Sequence, residues 1–241
     1  MIRALGARGL ASSPVIRRLG ALAPLDKQAV HALQHALECS FSVAPRHELL
    51  REGQPISRSA VMVSGWAART RCLEDGRRQI INFVLPGDLV GFTGLGQPLA
   101  SSTIVAITDA TLCPLPDPSL SASLNDAYAV SRALDEAHLL GQITRLGRLS
   151  AQERIQDLLL ELLERLELAG LARDGRYPIP LTQEMLADAL GLTPVHVNRM
   201  LQQARQAGEL SWHGGEVILH DPKAIRRKVG RLKIRVSRPM V

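Results

Sequence analysis

The sequence predicts an α+β protein with three parts: an antiparallel β domain, a long helix and a C-terminal helical domain with a helix-turn-helix. Three observations predict this order. Short β-rich runs separated by Gly, Pro and Asp fill residues 41–115, and a long helical stretch follows at 118–149. Two short amphipathic patterns joined at a glycine then occupy 181–207, which is typical of a helix-turn-helix.

Composition limits the class of protein. A chain of 241 residues has room for two domains, and 46% hydrophobic with 22% charged residues is typical of a globular protein. Only 3% of residues are aromatic, which argues against a base-stacking surface for single-stranded nucleic acid. The net charge of +6 favours a polyanionic partner. Three widely spaced cysteines, Cys39, Cys72 and Cys113, favour a reducing cytoplasm, and no apolar run is long enough to span a membrane.

The chain is expected to start with a flexible segment, residues 1–21, that leads into a first helix. A twin-arginine export signal at Arg17 and Arg18 fits poorly, because Pro24 and Asp26 interrupt the apolar stretch after it. Apolar residues at helical spacing between Leu25 and Cys39 predict an amphipathic helix.

The β-rich region is expected to form an antiparallel sandwich or barrel. Strands are predicted at 48–50, 60–64, 66–73 and 79–85, with two more on either side of Thr108 and Asp109. Asp75-Gly76 between two of these runs is a strong hairpin signal.

The stretch 118–149 is predicted to be one long helix between two domains. Leu134 and His138 lie on one side of it, and Leu139, Ile143 and Leu146 mark a second apolar edge. Two apolar edges favour a dimer seam, and packing on the chain's own β domain is the alternative. A second amphipathic helix is predicted at 152–168.

The helix-turn-helix prediction depends on a fixed order of helix signals. Thr182 can cap the first helix, Gly191 can end it, and Thr193 with Pro194 can start the second. The second helix of this motif lies in the DNA major groove, where Arg199 can bond a guanine edge. The candidate DNA-binding residues are Thr182, Gln183, Thr193, Val195, His196, Asn198, Arg199 and Gln202.

Two further features follow the motif. Short runs at 209–213 and 216–220, around Gly214 and Gly215, predict a β-hairpin of the kind called a wing. Beyond Asp221 the chain has no acid, and this basic tail is expected either to neutralise phosphates or to serve only as a disordered solubilising segment. Its basic residues are Lys223, Arg226, Arg227, Lys228, Arg231, Lys233, Arg235 and Arg238.

The chain resembles the Crp–Fnr superfamily of bacterial transcription regulators from about Leu22 to Leu219. The resemblance is carried by LTQEMLADALGLTPVHVNRML at 181–201 and by EGQPISRSAVMVSGWAARTRCLEDGRRQIINFVLPGDLVGF at 52–92. It implies a β-roll sensor of the cyclic-nucleotide-binding, jelly-roll type at 22–117 and a dimerisation helix at 118–149. It also implies a winged helix-turn-helix domain at 150–222, with the basic tail at 223–241.

The resemblance implies a homodimer that binds double-stranded DNA at a pseudo-palindromic operator, with RNA polymerase as a further partner. By position, Arg199 matches the family's guanine-contacting arginine, and Thr193 matches a phosphate-contacting hydroxyl. The sequence departs from well-known branches at Val195, where they carry glutamate, and some carry arginine where Pro194 stands. We therefore expect His196 and Asn198 to take part in base reading.

The effector stays unknown. Cyclic-nucleotide binders of the family hold the phosphate with a Gly-Glu pair and Arg-Ser/Thr, but the stretch 91–103 has neither arginine nor glutamate, so cAMP is not expected. Three isolated cysteines do not supply an iron–sulfur cluster. Haem is an alternative through His47, His35, Cys72 or Cys113, although a single His or Cys is more often structural.

Two other functions are alternatives. A cupin-like metal-dependent enzyme needs a His-x-His set with a carboxylate on facing strands, but the β-rich region 41–115 has His47 as its single histidine. The other alternative is an effector-binding module whose helix-turn-helix recruits a protein without DNA readout. We expect no catalytic residue, no metal site and no membrane association, and a cytoplasmic location.

Overall fold

The computed structural model describes residues 13–232, 234 and 236. The helices are α1 (Pro14–Leu22), α2 (Lys27–Glu38), α3 (Ala122–Arg148), α4 (Ala151–Leu168), α5 (Gln183–Leu190), α6 (Pro194–Gln206) and α7 (Pro222–Lys228), with a short 3₁₀ turn at Pro118–Leu120. The strands are β1 (Phe41–Val43), β2 (Glu48–Leu50), β3 (Ala60–Ser64), β4 (Ala67–Cys72), β5 (Arg78–Val84), β6 (Leu89–Val90), β7 (Thr103–Ala106), β8 (Ala110–Pro114), β9 (Arg176–Pro178), β10 (Leu210–His213) and β11 (Glu216–Leu219).

The N-terminal domain is a β-roll of two antiparallel four-stranded sheets, in the orders β1-β8-β3-β6 and β2-β7-β4-β5. Met62, Ile104 and Leu112 are fully buried members of its core. The predicted hairpin is confirmed: β4 pairs with β5, and Gly76 in their turn has a φ of 86°, which a glycine adopts without strain. The short strands β1 and β6 were not predicted.

The expectation of a flexible start is wrong for the residues that the structure describes. Ser13 caps α1, and Val15 and Leu19 are fully buried. Arg18 is buried as well: its guanidinium pairs with Asp88 at 2.9 Å and donates to the Ser131 hydroxyl at 3.0 Å. The buried carboxylate offsets the cost of burying the arginine, and a sequence pattern does not reveal such a partner. Residues 1–12 lie outside the described part of the chain.

The long helix α3 begins at Ala122, four residues later than predicted, because a 3₁₀ turn capped by Asp117 precedes it. One side of α3 packs on the rest of the chain and buries Leu134 and His138, which agrees for this side with the alternative to a dimer seam. On another side Leu140 is 60% exposed and Ile143 is 67% exposed. The helix therefore presents an apolar edge that this single chain does not cover.

The C-terminal domain is built around α4. A complete capping box at Ser150 and Glu153 starts this helix, and its apolar face is buried as predicted. The wing hairpin β10–β11 is confirmed, and β9 extends it to a three-stranded sheet. Sequence reasoning missed β9 because Pro178 lies in it, and a proline is tolerated in a short edge strand.

A series of buried ion pairs joins the two domains. Asp88 in the β-roll accepts from Arg165 of α4 at 2.5 Å, in addition to Arg18. Glu161 of α4 pairs with Arg145 of α3 at 2.6 Å. Burial alone would raise the pKa of Asp88, but Arg165 and Arg18 lower it more, so that the net pKa lies below its usual value. The network therefore ties α1, the β-roll, α3 and α4 together through charged groups.

The described part of the C-terminal segment is folded and paired with acidic residues, in contrast to the basic tail that the sequence predicted. Residues 222–228 form α7, and Arg226 pairs with Glu164 at 2.7 Å. Arg231 is held at 2.8 Å by Asp157, and its pKa is raised because Asp157 and Glu164 outweigh its burial. Acids of the same chain thus compensate part of the positive charge that was expected to meet phosphates. Lys233, Arg235 and Arg238 lie outside the described residues.

Candidate nucleic-acid interface

The turn between α5 and α6 has the geometry that the sequence predicted. The Thr182 hydroxyl accepts from the Met185 N–H, and the Thr193 hydroxyl accepts from the His196 N–H, each at 3.2 Å. Gly191 lies between the helices with a φ of 62°, in the left-handed region. Both helices therefore start at a hydroxyl cap, and the chain reverses at the residue type that tolerates this conformation.

The helix α6 has one buried and one open side. Its buried residues are Val197, Met200, Leu201 and Ala204, which are the four that the sequence predicted. The opposite side carries Val195, which is 80% exposed, and the exposed residues Arg199 and Gln202. In the described part of the chain, the Arg199 guanidinium has no hydrogen-bond or ion-pair partner. Its five donors are therefore available to an external acceptor.

Six of the eight candidate residues are exposed, at the two helix starts or on the open side of α6. Thr182 and Gln183 are exposed at the start of α5, and Thr193 is exposed at the start of α6. His196 and Asn198 are half-buried between the open side and the core. The N–H groups at these two helix starts suit an anion such as a DNA phosphate.

The wing lies directly after α6. Gly214 and Gly215 form its turn with φ values of 59° and 80°. Arg205 near the end of α6 donates to the Trp212 carbonyl at 3.4 Å, which links the helix to the hairpin. The wing is thus fixed to the helix that carries Arg199.

The β-roll and α3 line an open cavity of about 550 Å³. Its wall includes Arg69 of β4 together with Arg132, Asp135 and Glu136 of α3. Burial and the nearby Asp88 raise the pKa of Asp135 to about 6. Sequence reasoning missed this set, because its members come from two elements that are far apart in the chain.

The cavity does not repeat the cyclic-phosphate site of the family. The stretch 91–103 contributes the Ser102 hydroxyl, which accepts from Arg69 at 3.3 Å. The Arg132 guanidinium lies over the Phe92 ring at 5.9 Å. Arg69 and Arg132 therefore line the cavity, although neither belongs to the stretch 91–103. The carboxylates of Asp135 and Glu136 share the same wall and would oppose a second anion, so the donor set does not fit a cyclic phosphate.

The residues considered for haem or a metal are spread over the molecule. Cys72 is exposed at the end of β4, and His35 and His47 are exposed on other elements. Cys113 is buried in β8, and burial raises the pKa of its thiol to about 11. No group of three His, Cys, Asp or Glu side chains that could hold a metal ion occurs among the described residues. None of the helices described by the structure has the length and hydropathy that a membrane span requires.

A β-roll with a cavity, a long helix with an uncovered apolar edge and a winged helix-turn-helix define the class of DNA-binding regulators. The family model "Crp-like helix-turn-helix domain" matches residues 153–228, and "Cyclic nucleotide-binding domain" matches residues 41–126. The chain belongs to the Crp–Fnr family of transcription regulators.

Individual relatives agree with this assignment. The chain is 30% identical over 187 residues to the nitrogen fixation regulation protein FixK of Rhizobium meliloti, with 76% of this chain and 83% of that protein covered. It is 28% identical over 209 residues to the transcriptional activator protein FnrL of Cereibacter sphaeroides, with 83% of each chain covered. The solved structure of FixK2 from Bradyrhizobium japonicum matches with a TM-score of 0.68 and 28% identity, covering 78% of this chain and 95% of that one. The protein is therefore a DNA-binding transcription regulator, and the enzyme alternative has no support among these relatives.

Proposed function

We propose that the protein, as a homodimer, reads a pseudo-palindromic operator with α6, and that Arg199 contacts a guanine in each half-site. The observation that carries this proposal is the exposed Arg199, which has no partner within the described part of the chain and lies on a helix whose other side is buried. His196, Asn198 and Gln202 would read or contact neighbouring bases. Thr182, Gln183 and Thr193 would contact phosphates at the two helix starts, and Val195 would lie against the groove.

The exposed apolar edge of α3 supports dimerisation through this helix. Leu140 and Ile143 lie one turn apart, and a second copy of the same helix would bury both. A two-fold axis along α3 would present two α6 helices to successive major grooves, about 34 Å apart on B-DNA. The functional units in this proposal are the β-roll at 22–117, the dimer helix at 118–149 and the DNA-binding domain at 150–222.

The proposal also includes the site at which an effector binds and the effect on transcription. The cavity between the β-roll and α3 is the place where an effector other than a cyclic nucleotide would act, since it touches the helix that holds the dimer together. We further propose that the protein acts in the cytoplasm and activates transcription through contact with RNA polymerase. Relatives named as transcriptional activators support the activating role.

Selection from randomised duplexes followed by titration tests the proposal. The wild-type protein should enrich a two-fold symmetric sequence, and Arg199→Ala should weaken binding to it. Loss of one bidentate base contact costs about 1–3 kcal/mol, which is roughly a 5- to 150-fold loss of affinity per half-site. Arg173→Ala is the matched control, because the side chain of Arg173 is 92% exposed and, among the residues that the structure describes, pairs with its neighbour Asp174 alone. Operator affinity that is the same in Arg199→Ala as in the control would overturn the assignment.

A further inference from the structure

The C-terminal end of α5, the first helix of the motif, is held by side chains from three other elements. Gln79 of β5 donates to the carbonyl oxygens of Asp188 (2.7 Å) and Ala189 (3.2 Å). Gln142 of α3 donates to the Ala189 oxygen at 2.6 Å, and Arg154 of α4 donates to the Leu190 oxygen at 3.0 Å. We refer to Gln79, Gln142 and Arg154 with these three carbonyl groups as the α5 latch.

These bonds meet a specific need of the helix end. The last carbonyl groups of a helix have no intrahelical partner, and they carry the negative end of the helix dipole. The Ala187 oxygen accepts from the Gly191 and Leu192 N–H groups of the turn. The next three carbonyl groups accept from the latch: Gln79 serves the first two, Gln142 also serves the second, and Arg154 serves the third. All three donors lie outside the helix-turn-helix.

An ion pair reinforces the latch at the surface. Arg78, next to Gln79 on β5, places Nε and Nη2 at 2.8 Å and 2.6 Å from the Asp188 carboxylate. The Arg78 and Asp188 side chains are 46% and 29% exposed. Substitutions that reverse their charges can therefore be made without placing a charge in the core. Strand β5 of the β-roll therefore contacts α5 in two ways: the Gln79 side-chain amide bonds backbone carbonyl oxygens, and Arg78 forms an ion pair with Asp188.

On the inner side, the latch is connected to the dimer helix. The Oε1 atom of Gln142 accepts from Arg145, one turn further along α3, and this orients the Gln142 amide toward Ala189. Arg145 is itself fixed by Asp157 at 2.8 Å and by Glu161 at 2.6 Å. The position of α5 relative to α3 is thus specified by directional bonds and not by apolar contact alone.

Fixing the end of α5 also fixes α6, the helix that carries the candidate base-reading residues. Only Gly191, Leu192 and Thr193 separate α5 from α6, and the two helices share a buried core that includes Leu186, Val197 and Leu201. Whatever fixes the end of α5 against α3 also fixes the direction of α6. The latch contacts α5 on its C-terminal end, whereas the candidate reading residues lie on the open side of α6 and are not covered by it.

We propose that the α5 latch sets the angle between the two reading helices of the dimer, and that Gln79, Arg78 and Asp188 are positioning residues for half-site spacing. This inference rests on the proposed function, because it assumes a dimer that reads two half-sites. A loosened latch lets α6 adopt more orientations relative to the two-fold axis. Discrimination against an operator with the wrong spacing then falls, while the contacts within one half-site stay the same.

The test compares binding of full-length protein to three duplexes: the selected operator, the same operator with its half-sites moved apart by one base pair, and a single half-site. Gln79→Met removes the donors at nearly constant length. Arg78→Asp and Asp188→Arg each break the ion pair, and the double variant restores it with reversed charges. Gln28→Met, on the exposed face of α2, and Arg77→Asp, in the same hairpin as Arg78 but paired with Asp75, are the matched controls.

We expect each of the three single variants, Gln79→Met, Arg78→Asp and Asp188→Arg, to lower the preference for the correct spacing about 3- to 10-fold, with half-site affinity within twofold of wild type. The double reversal should recover the preference, and the two controls should keep it. The inference would be overturned if all three single variants kept the wild-type spacing preference. It would also be overturned if they lost as much affinity for the single half-site as for the full operator. If Gln79→Met does not fold, the spacing preference of Arg78→Asp and Asp188→Arg, which change exposed side chains, decides the question. A wild-type protein that enriches no sequence would instead refute the proposed function.

Discussion

Arg145 offers the most direct test of the buried charge network. Its guanidinium is 1% exposed and bonds three partners: Asp157, Glu161 and the Gln142 side chain. Arg145→Met keeps an unbranched stem but removes the guanidinium group, which leaves two buried carboxylates short of a cation. We expect a large loss of stability at neutral pH, because an unpaired buried charge costs more than an apolar replacement gains.

The expected magnitude follows from the partners that remain. Removing one partner from a buried pair costs about 3–5 kcal/mol. Arg231 still contacts Asp157 at 2.8 Å, and Arg165 still lies 3.5 Å from Glu161, so the low end, about 3 kcal/mol, is expected. Burial alone would raise the pKa of Glu161, but Arg145 and its other charged neighbours lower it from 4.5 to about 2.

This pKa gives the pH dependence a definite sign. A carboxyl group whose pKa is lowered in the folded state stabilises the fold above its unfolded pKa, and that contribution is lost as the pH falls through 4.5 toward 2. Without Arg145 the pKa of Glu161 rises toward its usual value. The stability difference between wild type and Arg145→Met is therefore largest at pH 7 and narrows by about 1 kcal/mol at pH 3.5.

Urea unfolding followed by circular dichroism at pH 7 and pH 3.5 measures both effects. Arg173→Met, at an exposed arginine, is the control and should stay within about 0.5 kcal/mol of wild type. A free energy of unfolding for Arg145→Met that equals the control at pH 7 would refute the reasoning. It would show that Arg231 and Arg165 suffice for the two carboxylates.

Three further outcomes are expected. Gly65→Ala should cost at least about 2–3 kcal/mol in thermal unfolding, because its φ is 84° and the new Cβ would lie 2.4 Å from the Asp109 oxygen; Gly76→Ala, with open space around it, should cost less. Thr193→Ala should lose about 1 kcal/mol of stability by removing the α6 cap, while Thr193→Ser keeps it; equal melting temperatures would contradict this. Asp135→Asn should stabilise the protein by up to about 3 kcal/mol at pH 7 and less at pH 4, because the pKa of Asp135 is raised to about 6, and a gain that does not depend on pH would count against that cause.

Local signals predicted the elements that carry the function. The two threonine caps, Gly191 and the four inward residues of α6 were all correct, because cap chemistry, positive φ and helical periodicity act within a few residues of one another. The β4–β5 hairpin was correct for the same reason, since its turn residues and alternation are local. The roles of the individual candidate residues at DNA stay predictions.

Errors occurred where a residue's state depends on a distant partner. The pattern around Arg18 indicated a flexible basic start, but Asp88 and Ser131 make that arginine part of the core. Arg231 was assigned to a free tail, although Asp157 and Glu164 neutralise it. Charge counted along the sequence does not show whether it is compensated, because compensation depends on distances of a few ångströms between remote segments.

The order of the parts, the reading helix and its open side follow from the sequence alone, since each depends on patterns within one helix or hairpin. The placement of the parts relative to one another was decided only in three dimensions. Gln79 and Gln142 carry no sequence signal, yet their amides meet the same helix end. Hydrogen bonds require donor and acceptor within about 3 Å, and only the folded chain brings β5, α3 and α5 to that distance.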